Sequence, residues 1–278
     1  MPTFPTPQPI ALRIRNGAGR ISVTATDTTD TTVDLVALND AGARAIESAI
    51  VEHRGDAVTV EIPSKGGGLL GRSPAVAITV RVPLASTLSA VAGSADIDVT
   101  DGLAGVDATA GSGAIRIGRV DGDVHARSGS GTVGLAGGTG AIRVGTGSGD
   151  VTIGEAAADA SVSTGSGDVR IASITGTAAT KTGSGDVVVV DLDGQLESKS
   201  GSGDTRVERA GAGGLHVRSA SGTVRVGIAD GTAAWLDVSS VSGRVDQSLA
   251  DSTGPRDDQA RVTVAVSTVS GDVEIRRA

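Results

Sequence analysis

Apolar and polar residues alternate in short runs along most of the chain, and the runs return at a fixed interval. Ile115, Val133, Val151, Val169 and Val187 hold one position of the repeat, and Ile117, Leu135, Ile153, Ile171 and Val189 a second. Ile142, Ala160, Ala178 and Leu196 hold a third, while the intervening Arg116, Thr152, Arg170 and Arg206 are polar. Period-two alternation with β-branched residues at the apolar sites predicts half-buried strands. Each unit holds two, one such as 151–153 or 169–171 and another such as 142–144, 161–163 or 196–198.

Between the strands a phrase recurs: TGSGDVTI (146–153), TGSGDVRI (164–171), TGSGDVVV (182–189) and SGSGDTRV (200–207). Its middle serine falls at 94, 112, 130, 148, 166, 184 and 202, six consecutive spacings of 18. The next copies follow at Ser221, Ser242 and Ser270, spacings of 19, 21 and 28. The longest gap holds an insertion near 250–259, where TGPRDDQ (253–259) reads as a polar loop.

Two topologies fit this pattern. An antiparallel meander leaves one apolar sheet face bare. A solenoid stacks equivalent strands in parallel at ~4.8 Å and buries two sheets against each other ~10 Å apart. The expectation is therefore an all-β protein, a parallel β-solenoid of 18-residue coils with two strands per coil. Tight corners explain glycine through positive φ, and aspartate and serine through bonds to nearby amides. A thin interior explains 42 Gly beside one Phe and one Trp.

The first third departs from the repeat. Residues 1–9, with prolines at 2, 5, 7 and 9, read as a mobile arm. Strands are expected at 11–14, 20–24, 33–38, 58–62 and 75–82, with one helix at 40–50 capped by Asp40. Residues 64–74 form a glycine-rich loop, and Val80-Arg81-Val82-Pro83 leads into coils beginning near Leu88. Residues 10–87 are thus expected to be a non-repeating β cap with one short helix, and 88–278 the solenoid, with Trp235 plugging its far end.

Composition narrows the functional classes. A net charge of −8, a pI near 4.9 and almost no aromatics oppose a nucleic-acid partner. With no cysteine there is neither a disulfide framework nor a thiolate metal site. No apolar run reaches 18 residues, so neither a membrane span nor a cleaved signal is expected, and the location expected is cytoplasmic.

The Val80–Pro83 entry and the Ser-Gly-Asp-Val/Ile phrases at 94–97, 147–151, 165–169, 183–187 and 270–273 resemble a known family. It is the bacterial putative-adhesin domain of unknown function, and the likeness spans about residues 10–278. The resemblance implies a β-solenoid and an adhesin label, and it carries no catalytic residues.

The columns carry the candidate chemistry. Asp150, Asp168, Asp186 and Asp204 would stack, either accepting amide bonds from their own turns or forming a calcium ladder. The column breaks at Ala114, Thr132, Thr223 and Arg244. Calcium-binding nonapeptides instead carry Gly-Gly-x-Gly-x-Asp on both edges of a coil. Thr146, Thr164 and Thr182, with Ser128 and Ser200, form a hydroxyl column of inward parity, suited to closing the corners rather than to ordering ice. His53, His125 and His216 are scattered, no HExxH or nucleophile-elbow phrase occurs, and GGGLLG (66–71) lacks the Lys-Ser ending of a phosphate loop. The reading is a non-enzymatic interaction scaffold with no catalytic, metal or cofactor residues and a protein partner. A calcium-dependent module and a surface adhesin are the alternatives.

Overall fold

The computed structural model describes residues 2–63, 73–249 and 259–278, so GGGLLG and most of the 250–259 insertion lie outside the described residues. The chain forms two compact units, 1–141 and 142–278. Both are two-sheet β-solenoids built from stacked, mostly parallel strands.

In the first unit the strands are β1 (Thr3–Pro5), β2 (Ala11–Asn16), β3 (Ala18–Thr26), β4 (Asp30–Ala37), β5 (Ile50–Arg54), β6 (Ala57–Glu61) and β7 (Ala75–Pro83). They are followed by β8 (Thr87–Ala92), β9 (Asp96–Val99), β10 (Gly105–Ala110), β11 (Ile115–Val120), β12 (Val124–Ser128) and β13 (Val133–Gly138). One sheet has the order β1-β4-β7-β3-β9-β11-β13, the other β12-β10-β8-β2-β6-β5.

In the second unit β14 (Ile142–Thr146), β16 (Ala160–Thr164), β18 (Thr177–Thr182), β20 (Gln195–Ser200), β22 (Gly213–Ser219), β26 (Arg261–Thr268) and β24 (Ala233–Ser240) succeed one another across one sheet. The other runs β15 (Val151–Ala156), β17 (Val169–Ile174), β19 (Val187–Leu192), β21 (Thr205–Ala210), β23 (Val224–Ile228), β27 (Val273–Arg277) and β25 (Val245–Gln247).

The columns stack as their spacing requires. Val151 lies beside Val169, Val169 beside Val187 and Val187 beside Thr205, all parallel. Ile153, Ile171 and Val189 follow two residues on, and all three are fully buried. Opposite them Ile142, Ala160, Ala178 and Leu196 run in register. The third inward row changes from Val144 and Val162 to Thr180 and Ser198, and the Thr180 hydroxyl donates to Ser198 Oγ at 3.0 Å. A buried polar pair that satisfies itself costs little there.

The first third holds more coils than its sequence suggests. β2 lies between β6 and β8, and β3 between β7 and β9, placing Leu12 beside Leu88 and Ile21 beside Ile97. Residues 10–87 thus begin with a full coil that carries the later ones, although no repeat phrase marks it. The antiparallel β4, β5 and β1 close that side. The expected mobile arm is extended but pinned. Thr3, Phe4 and Pro5 pair with Thr32, Thr31 and Asp30, and the buried Thr6 hydroxyl lies 2.8 Å from that of Thr31.

The helix α1 (Asp40–Glu47) is capped by Asn39, not Asp40: Asn39 Oδ1 accepts from the Gly42 amide at 2.6 Å. Asp40 sits in the first turn, where its charge suits the helix dipole. Nor does Trp235 plug an interior. It faces outward on β24 and is 73% exposed.

The corner glycines need correction too. Among the described residues, glycines with positive φ are Gly19, Gly55, Gly102, Gly213, Gly222 and Gly231, and the repeated 165–203 corners contribute none. What these corners demand is proximity. A Cβ on Gly165 would lie 2.5 Å from Gly147 O, one on Gly183 2.5 Å from Gly165 O, and the second glycine of each phrase is tighter still. Corners that stack at strand spacing leave no room for a side chain pointing along the stack.

Candidate interaction surface

Three successive corners of the second unit repeat one hydrogen-bonding design. Strand alternation turns Thr164, Thr182 and Ser200 inward, where each is buried. Their hydroxyls accept the amides of Gly167, Gly185 and Gly203, each at 2.9 Å. Ser128 does the same for Gly131 in the first unit. This hydroxyl column closes the corners.

The aspartates do something different from what the sequence suggests. Each carboxylate accepts an amide from the corner of the next coil rather than from its own. Asp150 Oδ1 accepts from Asp168 N at 3.0 Å, and Asp168 and Asp186 accept from Asp186 N and Asp204 N at 2.8 Å. Asp204 reaches Thr223 N at 2.7 Å, so the ladder runs on where the next residue is not acidic. In the first unit Asp96 bonds Ala114 N at 2.9 Å, and a second corner uses Asp101 for Arg119 N at 2.6 Å and Asp123 for Ala141 N at 2.8 Å. Among the described residues, no group of three or more His, Asp or Glu is disposed to hold a metal ion.

What remains for a partner is the outward rows. On the sheet containing β21, Arg209 bonds Asp191 at 2.5 Å and Asp193 at 3.3 Å, and its guanidinium pKa is raised chiefly by the Asp191 hydrogen bond. Arg225 bridges Asp204 (3.4 Å) and Glu274 (3.5 Å), and Arg276 meets Glu274 at 3.6 Å. A groove of about 300 Å³, lined by Gly227, opens between Arg206, Arg225 and Arg276. On the other sheet Lys199 bonds Glu197 at 2.6 Å, which draws the Glu197 carboxyl below its ordinary value. A second groove of about 300 Å³ there has small Ala265 and Ser267 between His216 and Arg218 on one side and Asp237 and Ser239 on the other. Such pairs are exposed, so each contributes little stability.

The histidines stay apart. His53 on β5 has its ring 5.6 Å from that of Phe4, His125 lies beside Asp107 on the neighbouring strand, and His216 stands beside Glu197 and Ala265. No helix among the described residues is long and apolar enough to cross a membrane. The outward grooves were invisible in the sequence because each joins residues from three strands. The one usable signal was small residues at outward positions, such as Ala265 and Ser267.

The chain is similar to solved structures from Bacteroides and Parabacteroides. One, described as a putative adhesin from Bacteroides fragilis, is 12% identical, with 100% of this chain and 95% of that one covered and a TM-score of 0.37. Another putative adhesin, from Parabacteroides merdae, is 10% identical over 100% and 95% of the two chains, with a TM-score of 0.41. A putative lipid binding protein from Parabacteroides distasonis is 11% identical over the same shares, with a TM-score of 0.36. A search of curated proteins finds no match. The model of the family described as Toastrack DUF4097 matches residues 11–276, nearly the whole chain: this protein belongs to the DUF4097 toastrack family.

Proposed function

We propose that the protein is a non-catalytic scaffold that binds another protein along its outward charged rows. One observation carries this reading. The groups best suited to chemistry are committed to backbone amides, the carboxylates joining coil to coil and the hydroxyls closing their own corners, while the ordered ion pairs from Asp191 to Arg276 face solvent. A rigid β-solenoid presents such a row at fixed spacing with little ordering cost on binding, which favours recognition of an extended complementary surface.

The test is capture from native lysate with the wild-type chain and with Arg206, Arg225 and Arg276 reversed to glutamate. A protein held by the first and released from the second supports the scaffold; equal capture by both, or none, refutes it. Surface adhesion is the special case in which the partner lies outside the cell. Surface labelling of intact cells separates it from the cytoplasmic scaffold, which fractionates with the soluble contents.

A further inference from the structure

Among the described residues, the second unit stops at two strands that each have a neighbour on only one side: β24 beside β26, and β25 beside β27. Inward residues of the preceding coils are buried, whereas Leu236 and Val238 of β24 are half-buried and Val245 of β25 is 44% exposed. Trp235 and Val241 are more open still, at 73% and 82%.

An open edge of this kind is normally guarded by proline, lysine, a bulge or brevity. The outermost strands of the first unit follow that rule. β1 has three residues and ends on Pro5, and β5 carries Glu52, His53 and Arg54. β24, by contrast, offers eight residues, AAWLDVSS, with Asp237 as the single charge and no proline. An edge this long and unguarded needs an occupant.

We infer that the occupant is β24 of a second copy, paired antiparallel about a two-fold axis. A two-fold axis that keeps inward faces together allows a strand to meet itself only in that direction, and the pair closes the β24 edge. The backbone determines which groups are available. The Ala233 amide bonds Ala260 O at 2.8 Å and the Val241 amide bonds Thr268 O at 3.2 Å, so odd-numbered amides face β26. Those of Ala234, Leu236 and Val238 face the open side.

Pairing must also keep inward residues against inward residues. A register centred on Asp237 sets the two Asp237 carboxylates opposite each other, a like-charge pair that opposes association. Centred on Leu236, the strands place Leu236 opposite its copy, Ala234 opposite the second copy's Val238, and Trp235 opposite the second copy's Asp237. That last pair matches an indole N–H donor to a carboxylate acceptor, and the exchange covers the half-open Leu236 and Val238.

Light scattering coupled to gel filtration on the full chain tests this at roughly 50 μM, where weak isologous interfaces assemble. The wild type is expected at twice the 27.2 kDa chain mass. Val238→Pro removes an amide that faces the open side and leaves the β24–β26 ladder intact, so it returns the mass to 27.2 kDa with strand circular dichroism unchanged. Because the chain has no cysteine, the double variant Trp235→Cys/Asp237→Cys gives a clean readout of register even if Val238→Pro misfolds. It should form a disulfide-linked dimer on a non-reducing gel, and Asp237→Cys alone should not. A monomeric wild type, or a crosslink by Asp237→Cys alone, overturns the inference.

Discussion

Replacing Asp168 in two ways separates the two forces acting on the aspartate ladder. Asp168 accepts from Asp186 N at 2.8 Å while its own amide donates to Asp150 at 3.0 Å. Removing the acceptor with Asp168→Ala forfeits a charge-assisted bond of about 1.5–3 kcal/mol, toward the lower value because the site is exposed. The carboxylate also has like-charged neighbours above and below. At a strand spacing of ~4.8 Å each repels it by about 0.9 kcal/mol in bulk water. Physiological salt cuts that roughly in half, so about 1 kcal/mol of repulsion is relieved in either variant. The net for Asp168→Ala is a destabilisation of about 0.5–2 kcal/mol. Asp168→Asn keeps a carbonyl acceptor worth about 1 kcal/mol and sheds the same repulsion, and so lands within about 0.5 kcal/mol of wild type. Urea denaturation in low and in physiological salt measures both, and added salt should stabilise the wild type more than Asp168→Asn. Millimolar calcium should leave the wild-type melt unmoved. Equal damage from Ala and Asn, or a large calcium-induced rise in melting temperature that either variant abolishes, would refute the ladder as a backbone device.

Three further outcomes follow from other sites. Gly185→Ala, which drives a Cβ into the Gly167 carbonyl, should cost about 3 kcal/mol in the same titration, and full tolerance would disprove the close stacking of corners. Thr205→Val should stabilise by about 1 kcal/mol, since Thr205 stands in the valine column with its buried hydroxyl unpartnered, and calorimetry reads the sign. Glu197 has its folded pKa lowered by the Lys199 hydrogen bond, so its contribution is present above the ordinary value of 4.5 and is lost as pH falls through the depressed one. Lys199→Met should flatten the melting profile over that acid window, and an unchanged profile would contradict the pairing.

The interior was legible in the sequence because it repeats: the Val151 and Ile153 columns and the hydroxyls at Thr164 and Thr182 lie where an 18-residue coil puts them. Stacking across a long intervening segment was not legible. Leu12 meets Leu88 through an ordinary strand pair that leaves no periodic trace when strand, helix and loop separate the partners. The corner glycines were recognised but misexplained, because a positive φ and a close carbonyl make the same demand on composition. The aspartates likewise fit a bond within one turn as well as a bond to the next, and only the stacking of coils distinguishes them. The grooves near Gly227 and Ala265 depend on neighbours contributed by distant strands, which a linear reading does not assemble.

The placement of β26 and β27 between the β22/β23 coil and the β24/β25 coil constrains how this chain can be made. During synthesis β24 and β25 emerge before the bed they finally lie on, since the strands that will separate them from the finished coils are translated after them. The closing segment must therefore slot inward beneath residues that preceded it. A ribosome-stalled chain ending before residue 261 should leave 233–247 open to protease, and addition of the remaining residues should protect both coils in a single step.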